Sequence, residues 1–216
     1  MQNDLSVQNA SKTHPAKYAG ITLICAAILV CSFFCDRPVE QFVLQHQVPV
    51  LLHVARELSR YGEWFYLLLP ALLLLVVGDL SKNRRWMTLG LALALSSGIA
   101  GVSATAIRFS TGRTRPSATV TQGWYGIRHD GQWLPGRSQY NSFPSGHVGF
   151  ATGFGVALFL GTRRWKIPAV LIPAAIGWSR IYLGAHHFSD VVASAMLGVA
   201  VGIYTWYRLM PRLLKN

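Results

Sequence analysis

Six apolar runs, at 18–34, 64–80, 86–109, 147–161, 167–183 and 190–210, take up most of this chain. A hydrocarbon core of about 30 Å is crossed by about 20 helical residues, with about 17–25 as the working range. Inside lipid, every backbone N–H and C=O must be satisfied within its own segment, so runs of this kind become helices. The expected fold class is therefore all-α, a polytopic membrane protein built as a six-helix transmembrane bundle. Composition agrees: the chain is 51% hydrophobic and 13% charged, where an average soluble domain carries about 25% charge.

Residues 1–16 are polar and without helical period, which fits a disordered tail; residues 17–216 make up the membrane domain. The first run is expected to be a retained helix, because no small-x-small cleavage site follows it. Its three cysteines, Cys25, Cys31 and Cys35, match neither a disulfide framework nor a zinc spacing and are expected to be buried thiols. Asp36-Arg37-Pro38 is expected to end this span. Between 39 and 63, Phe42, Val43, Leu51, Val54 and Leu58 recur at roughly helical spacing among Glu40, Gln45, Arg56, Glu57 and Arg60. With Pro49 as a break, two short amphipathic interfacial helices are expected there.

A net charge of +12 could suit nucleic acid. The basic residues, however, occupy short loops between apolar runs and do not form one soluble face, so the expected partners are membrane lipids and no nucleic acid. Their distribution sets an orientation. With a cytoplasmic N-terminus, Lys12, Lys17, Lys82, Lys166 and Lys215, which are all the lysines, lie on the inner side with Arg84, Arg85, Arg163, Arg164, Arg208 and Arg212. Both termini are then cytoplasmic and the loop 110–143 faces outward. Its Trp124, Tyr125, Trp133 and Tyr140 suit a surface resting on lipid headgroups, and Arg113 is assigned to such a headgroup or loop contact.

The same topology brings the ends of four runs to one outer level, with Arg108, Arg115, Ser145, Gly146, His147, Arg180, His186 and Asp190. Three arginines converging without matching acids call for an anion, and phosphate suits them. Pro144-Ser145-Gly146-His147 opens a span, so its free backbone N–H groups add to the anion site. Two separated histidines provide for a nucleophile and a general acid. On an unbroken helix, seven steps of about 100° from Arg180 bring His187, and not His186, back to the same face. Gly184 and the cap-like Ser189 argue for a turn between them, which leaves both histidines open.

Arg108-x6-Arg115-Pro116, Pro144-Ser145-Gly146-His147 and Ser179-Arg180-x5-His186-x3-Asp190 resemble the three-part signature of the type 2 phosphatidic acid phosphatase superfamily, over about residues 60–205. The family's first motif usually opens with lysine; Arg108 keeps the charge as a planar fork. The resemblance implies a metal-independent membrane lipid phosphatase without cofactor. In it His186, selected by the family register, attacks phosphorus, and Asp190 hydrogen-bonds its other ring nitrogen. His147 protonates the leaving oxygen and then activates water, while Arg108, Arg115, Ser145, Gly146 and Arg180 hold the phosphoryl oxygens. Polyprenyl diphosphate, lipid A phosphate, phosphatidate and phosphatidylglycerophosphate are the substrates it implies, met at the outer face of the cytoplasmic membrane. Two rival readings are phosphoryl transfer to another lipid or sugar, and a non-enzymatic lipid-phosphate transporter. Reporter fusions at Ser81 and Gly131 are expected to report opposite sides of the membrane; the same side for both would overturn the orientation.

Overall fold

The computed structural model describes residues 15–214. Seven helices dominate: α1 (Pro15–Gln45), α2 (Pro49–Tyr61), α3 (Trp64–Leu80), α4 (Arg84–Thr111), α5 (Gly146–Gly161), α6 (Lys166–Tyr182) and α7 (Phe188–Tyr204). α7 continues through a π-helical turn, Thr205–Leu209, into α8 (Met210–Leu213). The polar tail expected over 1–16, with Lys12 and His14, lies outside the described residues except for Pro15 and Ala16, as does Lys215.

By length and composition, Ala19–Gln45, Arg84–Thr111 and Phe188–Leu213 can each cross a membrane. α2 and α3, bent by 51° at their junction, make a fourth if taken together. α3, α5 and α6 have 17, 16 and 17 residues, or roughly 25 Å each at 1.5 Å per residue. The protein is thus helical, with several apolar helices of the kind that cross membranes.

α1 departs from expectation. It does not stop at Asp36-Arg37-Pro38 but runs through Pro38 to Gln45. A charge marks the end of a span only if it must reach water; Asp36 is instead 7% exposed and hydrogen-bonded inside the protein. One amphipathic helix, α2, therefore stands where two short ones were expected. Cys25, Cys31 and Cys35 are exposed and not buried, because α1 lies at the margin and turns most of its apolar surface away from the bundle.

α5 is the axis. It packs against α4, α6 and α7, and small residues allow the approach on each side. A Cβ at Gly153 would stand 2.3 Å from the Ser96 carbonyl of α4, and one at Gly155 would stand 2.3 Å from the Ala169 carbonyl of α6. On α7, a Cβ at Gly198 would meet Thr152 at 2.6 Å. Ser97 Oγ adds a hydrogen bond to the Phe150 carbonyl at 3.0 Å. Ser96, Ser97 and Gly101 of α4 are buried, whereas Gly98 faces open space.

α4 begins at Asn83, whose side chain accepts from the Arg85 N–H at 3.1 Å, and ends at Gly112 with φ 58°. A side chain there would be strained and would meet the Gly126 carbonyl at 2.1 Å, so the chain turns sharply into the long loop. That loop is ordered by its own bonds. Arg128 pairs with Trp133 and His129 with Gln132 around Asp130-Gly131; both turn residues have positive φ, as a two-residue hairpin turn requires.

Because the α4–α5 contact has no room for a methyl group, Gly153→Ala is expected to cost about 1–3 kcal/mol through overpacking. Thermal unfolding in detergent checks this; an unchanged midpoint would show that the two helices can move apart freely.

Candidate active site

The end of α4, the start of α5, the end of α6 and the start of α7 meet on one side of the bundle. Arg108 lies in the last turn of α4, and Arg180 in the last turn of α6. Ser145 precedes the first residue of α5, Gly146, with His147 next. Arg115 follows α4 and is fastened through its N–H to the Gln139 carbonyl at 2.9 Å. A Cβ on Gly146 would lie 3.3 Å from Nη1 of Arg108, so the absence of a side chain lets guanidinium and backbone come together. His147 is within electrostatic reach of Arg180, His186, Arg108 and Arg115. The eight positions singled out from the sequence therefore share one site.

The segment between α6 and α7 settles which histidine faces it. α6 ends at Tyr182 and Gly184 takes φ 62°; the N–H groups of Ala185 and His186 both donate to the Arg180 carbonyl, at 3.0 and 3.2 Å. Helical steps therefore do not apply, and His186 is folded back towards Arg180. It is 1% exposed. His187 instead starts α7 and points its Nε2 to the Thr114 carbonyl at 3.1 Å.

Nδ1 of His186 lies 2.7 Å from the Ser142 carbonyl oxygen. A carbonyl can only accept, so Nδ1 carries the proton and the lone pair sits on Nε2. The hydrogen bond expected from Asp190 is therefore made by Ser142. Asp190 stands 3.6 Å from Nδ1 and acts one step back. Its Oδ2 accepts from Ser142 Oγ at 2.5 Å and from the His187 N–H at 2.8 Å.

Nε2 of His186 is buried without a hydrogen-bond partner among the described residues, as are Nε of Arg108, Arg115 and Arg180 and Oγ of Ser145. Buried polar groups are otherwise almost always satisfied; the arginine N–H groups and the Ser145 hydroxyl suit an oxyanion, and the Nε2 lone pair suits the electrophilic atom that such oxygens surround. His187 Nδ1 and the hydroxyls of Ser96, Thr152 and Thr205 are also without a partner among the described residues. Arg180 is steadied by Ser59 Oγ of α2. Burial pushes the His186 imidazole down to about 4; Asp190 opposes that fall, and Arg180 and Arg115 add to it. Burial likewise lowers Arg115, with Asp190 opposing. No group of three or more His, Cys, Asp or Glu side chains is gathered for a metal among the described residues.

A cavity of about 810 Å³ leads to this site between α3, α4 and α5. Trp64, Leu68, Val102 and Phe109 line it together with Arg108, Gly146 and His147 of the site. Glu63 is also among its lining residues.

Several residues that matter here were not singled out from the sequence. Ser142 works chiefly through its carbonyl, for which a sequence holds no signal. Ser59 had only its place on an amphipathic helix. Arg113, assigned to a headgroup or loop contact, is 7% exposed and ion-paired with Asp36 and Asp190. An unpaired carboxylate within an apolar run was the available sign for Asp36.

The model of the PAP2 superfamily matches residues 85–213. A lipid A 1-phosphatase of Rhizobium johnstonii is 27% identical over 171 residues, covering 73% of this chain and 65% of its own length. The chain thus spans about two thirds of that relative. A decaprenylphosphoryl-5-phosphoribose phosphatase of Mycobacterium tuberculosis is 32% identical over 71% of this chain and 78% of its own. Among solved structures, a transmembrane PAP2-type phosphatidylglycerolphosphate phosphatase from Bacillus subtilis superposes with a TM-score of 0.62. It shares 21% identity and the match covers 93% of this chain and 96% of that one, so the two have a common fold.

A histidine held neutral when folded but protonated when unfolded makes stability depend on pH. Between the ordinary value of about 6.5 and about 4, the unfolded chain binds a proton that the folded one does not, so stability falls as pH falls through this window. His186→Gln is expected to flatten that part of the melting-temperature profile. An unchanged slope would show that His186 is not held neutral.

Proposed function

The chain belongs to the PAP2 superfamily, and on that premise we propose that it hydrolyses a phosphate or diphosphate group from a membrane lipid through a phosphohistidine on His186. One observation carries the reading. The lone pair of His186 Nε2 is buried and unpartnered, beside the arginines at the end of an apolar cleft.

The apolar chain of the substrate lies in the cleft between α3, α4 and α5, and its phosphoryl oxygens meet Arg108, Arg115, Arg180 and the N–H groups at the start of α5. These donors stabilise the charge that spreads over the oxygens in the transition state. His186 Nε2 attacks phosphorus as the bond to the leaving oxygen breaks, and His147 gives that oxygen a proton. His147 then takes a proton from water, whose oxygen attacks phosphorus; the N–P bond breaks and inorganic phosphate leaves. While His186 is phosphorylated its ring is cationic, and the Ser142 carbonyl and the Asp190 charge stabilise it. None of these steps calls for a metal.

In this reading six helices, α1 and α3 to α7, cross the cytoplasmic membrane with both termini cytoplasmic and the site at the outer face; the gathering of every lysine on one side supports it. Polyprenyl diphosphate and lipid A phosphate suit that side, and phosphatidate and phosphatidylglycerophosphate have the same chemistry.

Purified protein in detergent is expected to release phosphate from members of this lipid panel without added metal, and to be inhibited by vanadate. His186→Ala should lower kcat by at least about 10³-fold and His147→Ala by about 10²–10⁴-fold, while His187→Ala retains a measurable rate. Full turnover by His186→Ala would sink the nucleophile assignment. Label recovered in a second lipid, and not in phosphate, would replace hydrolysis by transfer.

A further inference from the structure

Asp36 and Arg113 have no part in the steps above, and Asp36 lies outside the 85–213 segment matched by the family. Yet they stand at the centre of a dense set of buried hydrogen bonds. Nη2 of Arg113 donates to Asp36 Oδ2 at 2.6 Å, and Nη1 donates to Asp190 Oδ1 at 2.5 Å and to Ser189 Oγ at 2.7 Å. Asp36 Oδ1 accepts from the Ser189 N–H at 2.8 Å, and its Oδ2 accepts from Ser189 Oγ at 2.7 Å. Phe33, Trp124 and Phe143 surround the guanidinium with ring centroids 5.2, 4.8 and 5.9 Å from its carbon. Side-chain exposure of Arg113 and Asp36 is only 9% and 8%.

We propose that Asp36 and Arg113 are positioning residues for the nucleophile: Asp36 holds Arg113 against Asp190, and so sets both the orientation and the net charge of the Asp190–Ser142 pair that carries His186. This rests on the reading of His186 as nucleophile. The geometric half follows from the bonds. Arg113 fixes one oxygen of Asp190, and Ser142 and the His187 N–H fix the other, so the carboxylate has one orientation. The Ser142 hydroxyl it accepts from belongs to the residue whose carbonyl holds Nδ1.

The electrostatic half follows from the charges. Asp36, Arg113 and Asp190 together carry one negative charge beside a ring that must become cationic. Asp36→Asn leaves a neutral pair there, and the cation is less well stabilised. Arg113→Gln leaves two carboxylates, and the cation is favoured. Among the described residues, the other charged or titratable groups that act on His186 or line a pocket with it are Arg180, Arg115, His147, Glu40 and His187, and neither change replaces them. A purely structural role would move both variants in the same direction; this arrangement moves them in opposite ones.

The test titrates His186 by NMR in detergent-solubilised protein labelled with ¹⁵N-histidine, with its resonance identified by its loss in His186→Gln. Asp36→Asn is expected to lower the midpoint and Arg113→Gln to raise it, each by about half to one pH unit, while Arg113→Lys stays near the wild type. In parallel, both charge-removing variants should lower kcat by about 10–100-fold with KM within about threefold, since the phosphate-holding arginines are intact. Where Asp36→Asn does not fold, Ser189→Ala loosens the same hold without unpairing a charge, and is expected to lower kcat about threefold to tenfold at unchanged KM. Midpoints that do not move, or that move together, would overturn the proposal, as would a rise in KM at constant kcat. The midpoints are read without substrate, so absence of turnover in the wild type would count against the proposed function alone.

Discussion

Four arginines and two carboxylates meet at one end of this bundle, and the acids are unevenly shared. Asp36 and Asp190 both belong to Arg113, which leaves Arg108, Arg115 and Arg180 without a carboxylate in contact among the described residues. Burying unpaired cations is costly, so a fold that does it in three places must complete them with something else. Had the acids been spread evenly, the same residues would make a set of internal ion pairs with no affinity for a phosphate. The division between a neutralised arginine and three open ones turns a charged interior into a binding site.

The division depends on α5. Its glycines let α4, α6 and α7 approach so closely that the ends of those helices converge around Gly146. Arg108 and Arg180 are carried there by helix ends, and Arg115 and Ser142 by a loop tied down with backbone bonds. Ser142 donates its N–H to the Arg113 carbonyl at 3.0 Å, and Ser117 donates to the Gly184 carbonyl at 3.0 Å. Loop and helix ends thus hold one another, and His186 sits where they join.

Helices were the most legible part of the sequence, because apolar length is a strong signal in a chain that carries so little charge. The run read at 64–80 coincides with α3, and those for α4 to α6 differ by a residue or two at each end. The end of α1 was misread because sequence alone shows the cost of Asp36 but not a partner 153 residues away. The three motifs pointed to residues that do converge at one site, but its internal wiring was hidden. Arg113 looked like one more loop cation, and Ser142 takes part through a carbonyl that any residue has. Helical periodicity favoured His187 and failed for a definite reason: Gly184 turns the chain before the wheel can complete its steps.

The cleft between α3, α4 and α5 is lined by α4 from Ala94 to Phe109 and so runs along the side of that helix. A molecule that reaches Arg108 by this path has dissolved in the surrounding amphiphile before it meets the protein. Its effective concentration is then a mole fraction within a two-dimensional phase. Added inert lipid or detergent dilutes the substrate without changing its bulk molarity, and half-saturation scales with the composition of the sheet around the protein.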